Sequence, residues 1–195
     1  MKLSNFRAYY KKHANLTEEQ LDLLTANLKT GSFSKGQIIL RAGEVCKDSF
    51  FVENGLLRSF TINEAGKEHV VQFAPENWFI SDRSSAFFNE PSYTNIDALE
   101  DTKVVYIRHD FIPKASEISF ALNTYNEKAL HSHIRSLQKR LILLLSTSAE
   151  ERYLSFIKSY PDLLQRVPQW MVASYLGITP ESLSRVRKEL IRKNF

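Results

Sequence analysis

The sequence predicts an α+β protein: an antiparallel β-roll with flanking helices, then a long helix, then a helical C-terminal domain built on a helix-turn-helix. Three observations predict it. The apolar period is helical up to about residue 29. It switches between residues 32 and 108 to short β-branched and aromatic runs separated by turn residues, then becomes helical again. Residues 167–190 read as two short helices meeting at a glycine. The formal net charge of +4 is also localised: residues 1–150 hold 18 basic and 18 acidic side chains, residues 151–195 hold 8 and 4.

In the N-terminal stretch Phe6, Tyr9 and Tyr10 share a helical stripe. Thr17 with Gln20 forms a capping box that opens a second helix, and Leu21, Leu24 and Leu28 give that helix its buried face. Gly31 is expected to end it. The strand region comprises GQIILRAGE, DSFFVENGLLRSFTI, NEAGKEHVVQF and YTNIDALEDTKVVYIR, punctuated by Gly36, Gly43, Gly55 and Gly66, with a hairpin loop at residues 63–66. Many short strands with regular turns argue for a sandwich or roll and against βαβ units. No GxGxxG or P-loop sequence occurs.

Asp110 or Pro113 can start the next helix, and from there to Ser146 there is no further proline and no glycine. Leu130, Ile134, Leu137, Leu141 and Leu144 are spaced 4-3-4-3, a seam of about two heptads. That is too short for an autonomous coiled coil but sufficient for one helix of a dimer interface. The alternative is one long helix packed on its own roll. Ser148 to Glu151 is a second capping box, opening a helix with Tyr153, Leu154, Phe156 and Ile157. The expected domains are therefore 1–112, a dimerisation helix at 113–146, and 147–195.

Within 167–190, Val172 and Leu176 lie four apart, Leu183 and Val186 three apart, each pair on one helical face. Ala173 is small where helices cross, Gly177 can turn left-handed, and Ile178 plugs the corner. Thr179 is a candidate N-cap and Pro180 suits the first turn. The second helix, 180–190, then presents Glu181, Ser184, Arg185 and Lys188 outward. With Thr179 and Ser182 these are the candidate contacts to double-stranded DNA. Between residues 182 and 195, Arg185, Arg187, Lys188, Arg192 and Lys193 face only Glu189, as phosphate contacts require. An ordinary αα-corner with a basic, dipole-favoured helix end is the competing reading. The joint pattern favours DNA.

No apolar run reaches the roughly 18 residues of a membrane span, and the first residues lack the apolar core of a secretory signal. The single cysteine, Cys46, excludes an internal disulfide framework and a multi-cysteine metal or iron–sulfur site on this chain; it fits a reducing cytoplasm.

This element order, with LGIT-x-E-S-L-S-R near the C-terminus and AGE, VENGLLRSF and EAGKEHVVQF-AP-ENWF in the roll, resembles the cyclic-AMP receptor protein and fumarate–nitrate regulator (Crp/Fnr) family of bacterial transcription factors. The resemblance covers essentially the whole chain. It implies a cyclic nucleotide-binding-like roll and a winged-helix-like C-terminal domain. Glu181 and Arg185 stand where family members read base edges, Arg suiting guanine O6/N7 and Glu cytosine N4. Ser182 and Ser184 suit phosphate or base contacts. Pro180 replaces a basic residue, which removes one base contact, and with the chain ending at Phe195 the wing is expected to be truncated or absent.

Cyclic-nucleotide binders of the family carry a Gly-Glu pair and a later Arg-Ser pair. Here Asp82 replaces the acid, but neither the glycine before it nor the later pair stands at the family's positions. Cyclic AMP is therefore disfavoured. The candidate effector pocket is Ser81, Asp82, Arg83, Ser84, Ser85, Tyr93 and Thr94, with Arg83 available to neutralise a phosphate; a solvated turn is the alternative. No metal or certain cofactor is expected, and nothing selects a haem ligand among His69, His109, His131 and His133.

The expected function is a cytoplasmic homodimeric regulator reading a palindromic operator, with a small-molecule effector in the roll and RNA polymerase as a candidate partner. A small-molecule-binding module whose helix-turn-helix makes protein contacts is the alternative. An enzyme is disfavoured, because a metal-dependent roll needs a His/Glu cluster and only His69 lies there.

Overall fold

A computed structural model describes residues 3–193. The chain forms two compact units: residues up to Thr61 with Val71–Leu130, and Ile62–Val70 with His131 onward. No helix among the described residues is long and apolar enough to cross a membrane.

The first unit opens with α1 (Ser4–Ala14) and α2 (Glu18–Thr25). The capping box at Thr17 is formed: its Oγ1 accepts the Gln20 N–H at 3.2 Å, and Gln20 Oε1 accepts the Thr17 N–H at 3.0 Å. Helix α1 has no such box. Its first amides are satisfied from afar by the buried Glu53 carboxylate, which accepts from the Asn5 and Phe6 N–H groups at 2.7 and 2.9 Å.

Eight strands follow, β4 ending and β5 beginning in the second unit: β1 (Thr30–Phe33), β2 (Ile38–Leu40), β3 (Asp48–Asn54), β4 (Leu57–Ile62), β5 (Glu68–Ala74), β6 (Phe79–Ile80), β7 (Asn95–Ala98) and β8 (Thr102–Arg108). A short helix, α3 (Arg83–Phe88), lies between β6 and β7. The strands make two four-stranded sheets, ordered β1-β8-β3-β6 and β2-β7-β4-β5. This is the expected antiparallel roll. Strand alternation explains the unbroken apolar run in β3. Phe51, opposite Val105, joins Phe6, Tyr10, Leu21 and Leu24 beneath the helices. Phe50 and Val52 face the other way, into a core with Leu57, Ile96, Ala98 and Val104. The first sheet is thus covered on both faces.

Two expectations are corrected here. Gly31 does not end α2, which stops at Thr25; it sits in β1 opposite Val104. A Cβ there would lie 2.7 Å from the Tyr106 ring, which would have to shift, so close packing and not helix termination accounts for the glycine. The helix expected at 113–146 is also divided. Helix α4 (Phe111–Ile118) ends at Ser119, which is extended at φ −157° while its N–H bonds Ala115 O at 3.2 Å. Helix α5 then runs over Phe120–Ser146. The compact units divide within α5, at 130/131.

The second unit continues with α6 (Ala149–Ser159), a 3-10 turn (Leu163–Gln165), α7 (Gln169–Leu176) and α8 (Pro180–Lys193), so the second helix of the corner extends beyond 190. The capping box at Ser148 is formed. Tyr153, Phe156, Val172, Leu176, Leu183 and Val186 are buried where α6, α7 and α8 pack together, whereas Leu154 faces solvent. The expectation of an absent wing falls on residues 194–195, outside the described residues.

Candidate nucleic-acid interface

Gly177 makes the corner. It adopts φ +66°, and the Ile178 N–H reaches back to Ala173 O at 3.0 Å, closing α7 with a left-handed turn. The last carbonyl of α7 is held by a cation: Arg152 Nη1 donates to Leu176 O at 2.7 Å. Thr179 caps α8 as expected, its Oγ1 accepting the Ser182 N–H at 3.2 Å and lying 3.2 Å from Ser182 Oγ. Thr179 and Ser182 are therefore engaged with each other.

Leu183 and Val186 turn inward, which sends Glu181, Ser184, Arg185 and Lys188 to the exposed face of α8. The basic residues separate into two groups. Arg187 Nη1 donates to Gln169 Oε1 at 2.8 Å, and Lys193 pairs with Glu150 at 2.8 Å. Arg185, Lys188 and Arg192 make no hydrogen bond or ion pair among the described residues. Glu181 is held below the usual carboxylate range by hydrogen bonds at the helix start, its own backbone amide first and then Thr179, and by the Lys67 charge. The sequence reading did not anticipate Lys67 and its hairpin beside this corner, because nothing local to residues 63–70 marks a tertiary contact.

The effector candidates form a tight polar knot. Asp82 is 9 % exposed and caps α3: Oδ1 accepts the Ser85 N–H at 3.1 Å, and Oδ2 accepts the Tyr93 N–H at 3.1 Å and the Thr94 hydroxyl at 3.3 Å. Ser85 is buried and its Oγ accepts the Cys46 N–H at 2.6 Å. Burial pushes the Cys46 thiol above its ordinary pKa and lowers that of the Arg83 guanidinium, which stacks 4.6 Å over Phe87. Ser81 is half-buried, Ser84 likewise, and Tyr93 is exposed. No group of three or more His, Cys, Asp or Glu side chains able to hold a metal occurs among the described residues.

Helix α5 buries only Leu122 along its length. Leu130, Ile134, Leu137, Leu141 and Leu144 are each 39–57 % exposed, so the 4-3-4-3 stripe is uncovered in a single chain.

Comparisons with known proteins agree with the fold. The cyclic nucleotide-binding domain family matches residues 30–117. The chain is similar to the anaerobic regulatory protein of Haemophilus influenzae, 26% identical over 183 residues, covering 88% of this chain and 70% of that one. It is also similar to the fumarate and nitrate reduction regulatory protein of Yersinia pestis, 26% identical over 191 residues, covering 92% and 76%. Among solved structures, FixK2 from Bradyrhizobium japonicum superposes with a TM-score of 0.70 at 20% identity, over 86% of each chain.

Proposed function

We propose that this chain, a Crp/Fnr-type transcription regulator, binds double-stranded DNA as a homodimer in a reducing cytoplasm. Two copies of α8 would enter successive major grooves of a palindromic operator, brought together through the α5 stripe. One observation carries this reading most: Glu181, Ser184, Arg185 and Lys188 share the solvent face of a helix that is capped, packed and fixed by a glycine corner. Arg185 suits a bidentate contact to guanine, Glu181 suits cytosine, and Ser184 and Lys188 suit phosphate. Thr179 and Ser182 serve through the cap, presenting the first turn of α8 to the duplex.

The roll is proposed to take a small-molecule effector other than cyclic AMP. Asp82 is what supports the exclusion: its two oxygens accept three hydrogen bonds within the roll, which commits the carboxylate to holding α3 and residues 93–94 in place. RNA polymerase is the proposed protein partner of the DNA-bound dimer.

Selection of bound sequences from random duplex DNA with the purified protein tests the reading. Enrichment of a motif with two-fold symmetry is expected. Failure to enrich any motif, with or without cell extract as a source of effector, overturns it.

A further inference from the structure

Within the second unit, Ser174 of α7 uses one hydroxyl twice. Its Oγ accepts the Val70 N–H at 2.9 Å and donates to the Glu68 carbonyl at 3.1 Å. Glu68 and Val70 are two apart on β5, so these groups lie on the same side of the strand. Strand β5 ends the sheet order β2-β7-β4-β5, and this side has no strand neighbour among the described residues. Val70 is nevertheless 3 % exposed, a depth at which unpaired backbone groups are costly. Arg140 Nη2 adds to the closure, 3.4 Å from both Val70 O and Tyr175 O, with its guanidinium 3.9 Å over the Tyr175 ring. The strand edge is therefore bound to α7 at two alternate residues, Glu68 and Val70.

The position of α7 is passed to α8. Ile178 N–H bonds Ala173 O across the Gly177 turn, and Leu183 and Val186 are buried in the shared core, so the two helices move together. The Lys67 charge of the same hairpin also helps to hold the Glu181 carboxyl, in the first turn of α8, below its usual range. Arg185 and Lys188 stay exposed with the clasp made, so the clasped arrangement presents the basic face.

We infer that Ser174 is a positioning residue for DNA recognition: its clasp on the β5 edge holds α7, and through the corner the exposed face of α8, in the orientation that reads DNA. This rests on the DNA-binding reading above. Without the hydroxyl the corner samples more orientations, and affinity for the operator falls with the fraction of molecules correctly placed.

The test uses the full chain as Ser174→Ala, Ser174→Val and Ser174→Thr, the last keeping the hydroxyl. Binding to the selected operator and to a random duplex is measured together with hydrogen exchange at the Val70 amide. In the Ala and Val variants Val70 exchange should rise about tenfold. Operator affinity should fall about three- to tenfold while random-duplex affinity, set by phosphates, stays within about twofold. The Thr variant should resemble the parent. An operator-to-random ratio unchanged in both Ala and Val variants overturns the inference even if Val70 exchange rises. A parent protein that shows no operator preference overturns the DNA reading itself, and the inference with it.

Discussion

Arg187 donates to Gln169 Oε1 at 2.8 Å, whereas Arg185, two residues earlier on α8, is exposed and has no side-chain partner among the described residues. The first arginine braces α7 against α8; the second makes no such bond and is the one proposed to read a base. Arg185→Ala should therefore cost about 1–3 kcal/mol in operator binding and relax preference at one position of each half-site. Lys188→Ala should weaken all sequences alike and lower the salt slope by about 1. Arg187→Ala should leave base preference unchanged. Titrations against the operator and single-base variants at several salt concentrations check all three; a Lys188 variant that changes base preference would contradict the assignment.

Gly177→Ala should destabilise the second unit by about 1–2 kcal/mol, because the position is left-handed at φ +66°. The added Cβ would also sit 3.3 Å from Leu144 Cδ2 and 3.5 Å from Arg152 Nη1, next to the bond that Arg152 makes to Leu176 O. Urea unfolding of the variant should show a lower midpoint with little change in slope. Equal stability would mean that the corner relaxes.

What the sequence made legible is what is encoded locally. Thr17, Ser148 and Thr179 are caps with their partners three residues on, Gly177 is a turn, and the period change at residue 32 marks the roll. The break at Ser119 was not legible, since an extended serine between two helical patterns carries no proline or glycine. The role of Gly31 is not legible locally, because its reason, the Tyr106 ring, lies 75 residues away in sequence. Glu53 capping α1 and Ser174 clasping β5 are likewise long-range contacts of ordinary polar residues. The candidate site divides the same way. The outward face of α8 followed from helical spacing, while the engagement of Asp82 with Tyr93 and Thr94, 11 and 12 residues on, is visible only in three dimensions.

Asp82→Ala should destabilise the first unit by about 0.5–2 kcal/mol whether or not an effector is present, since it removes the cap of α3 and an anchor for the Tyr93 amide. Thermal unfolding of the unliganded variant is the check. An Asp82 variant as stable as the parent would return this residue to the effector pocket.

Alkaline pH should destabilise the protein from about pH 10 upward. Burial raises the pKa of Tyr10, Tyr125 and Tyr160 strongly, and that of Tyr9 as well, with Tyr9 and Tyr125 hydrogen-bonded to each other. These folded-state values lie above the unfolded one, so the stabilisation is complete below pH 10 and is lost as pH rises further. Absorbance titration should show these phenols ionising only as the fold is lost. Their ionisation with the fold intact would contradict the burial.

Leu137→Glu should convert the protein to monomers, because Leu137 sits mid-stripe, 53 % exposed, between Ile134 and Leu141 at 45 and 57 %. Pairing two stripes removes apolar surface from water at about 25 cal/mol per Å², and a carboxylate at the centre would have to be desolvated without a partner. In a single chain the same substitution faces solvent on a helix, so the fold itself should tolerate it. Sedimentation separates these outcomes: monomers with unchanged circular dichroism are expected, and operator affinity should fall about 100-fold as the second half-site no longer binds from a high effective concentration. Dimers that persist in Leu137→Glu would place the subunit interface elsewhere and leave the α5 stripe for a different occupant.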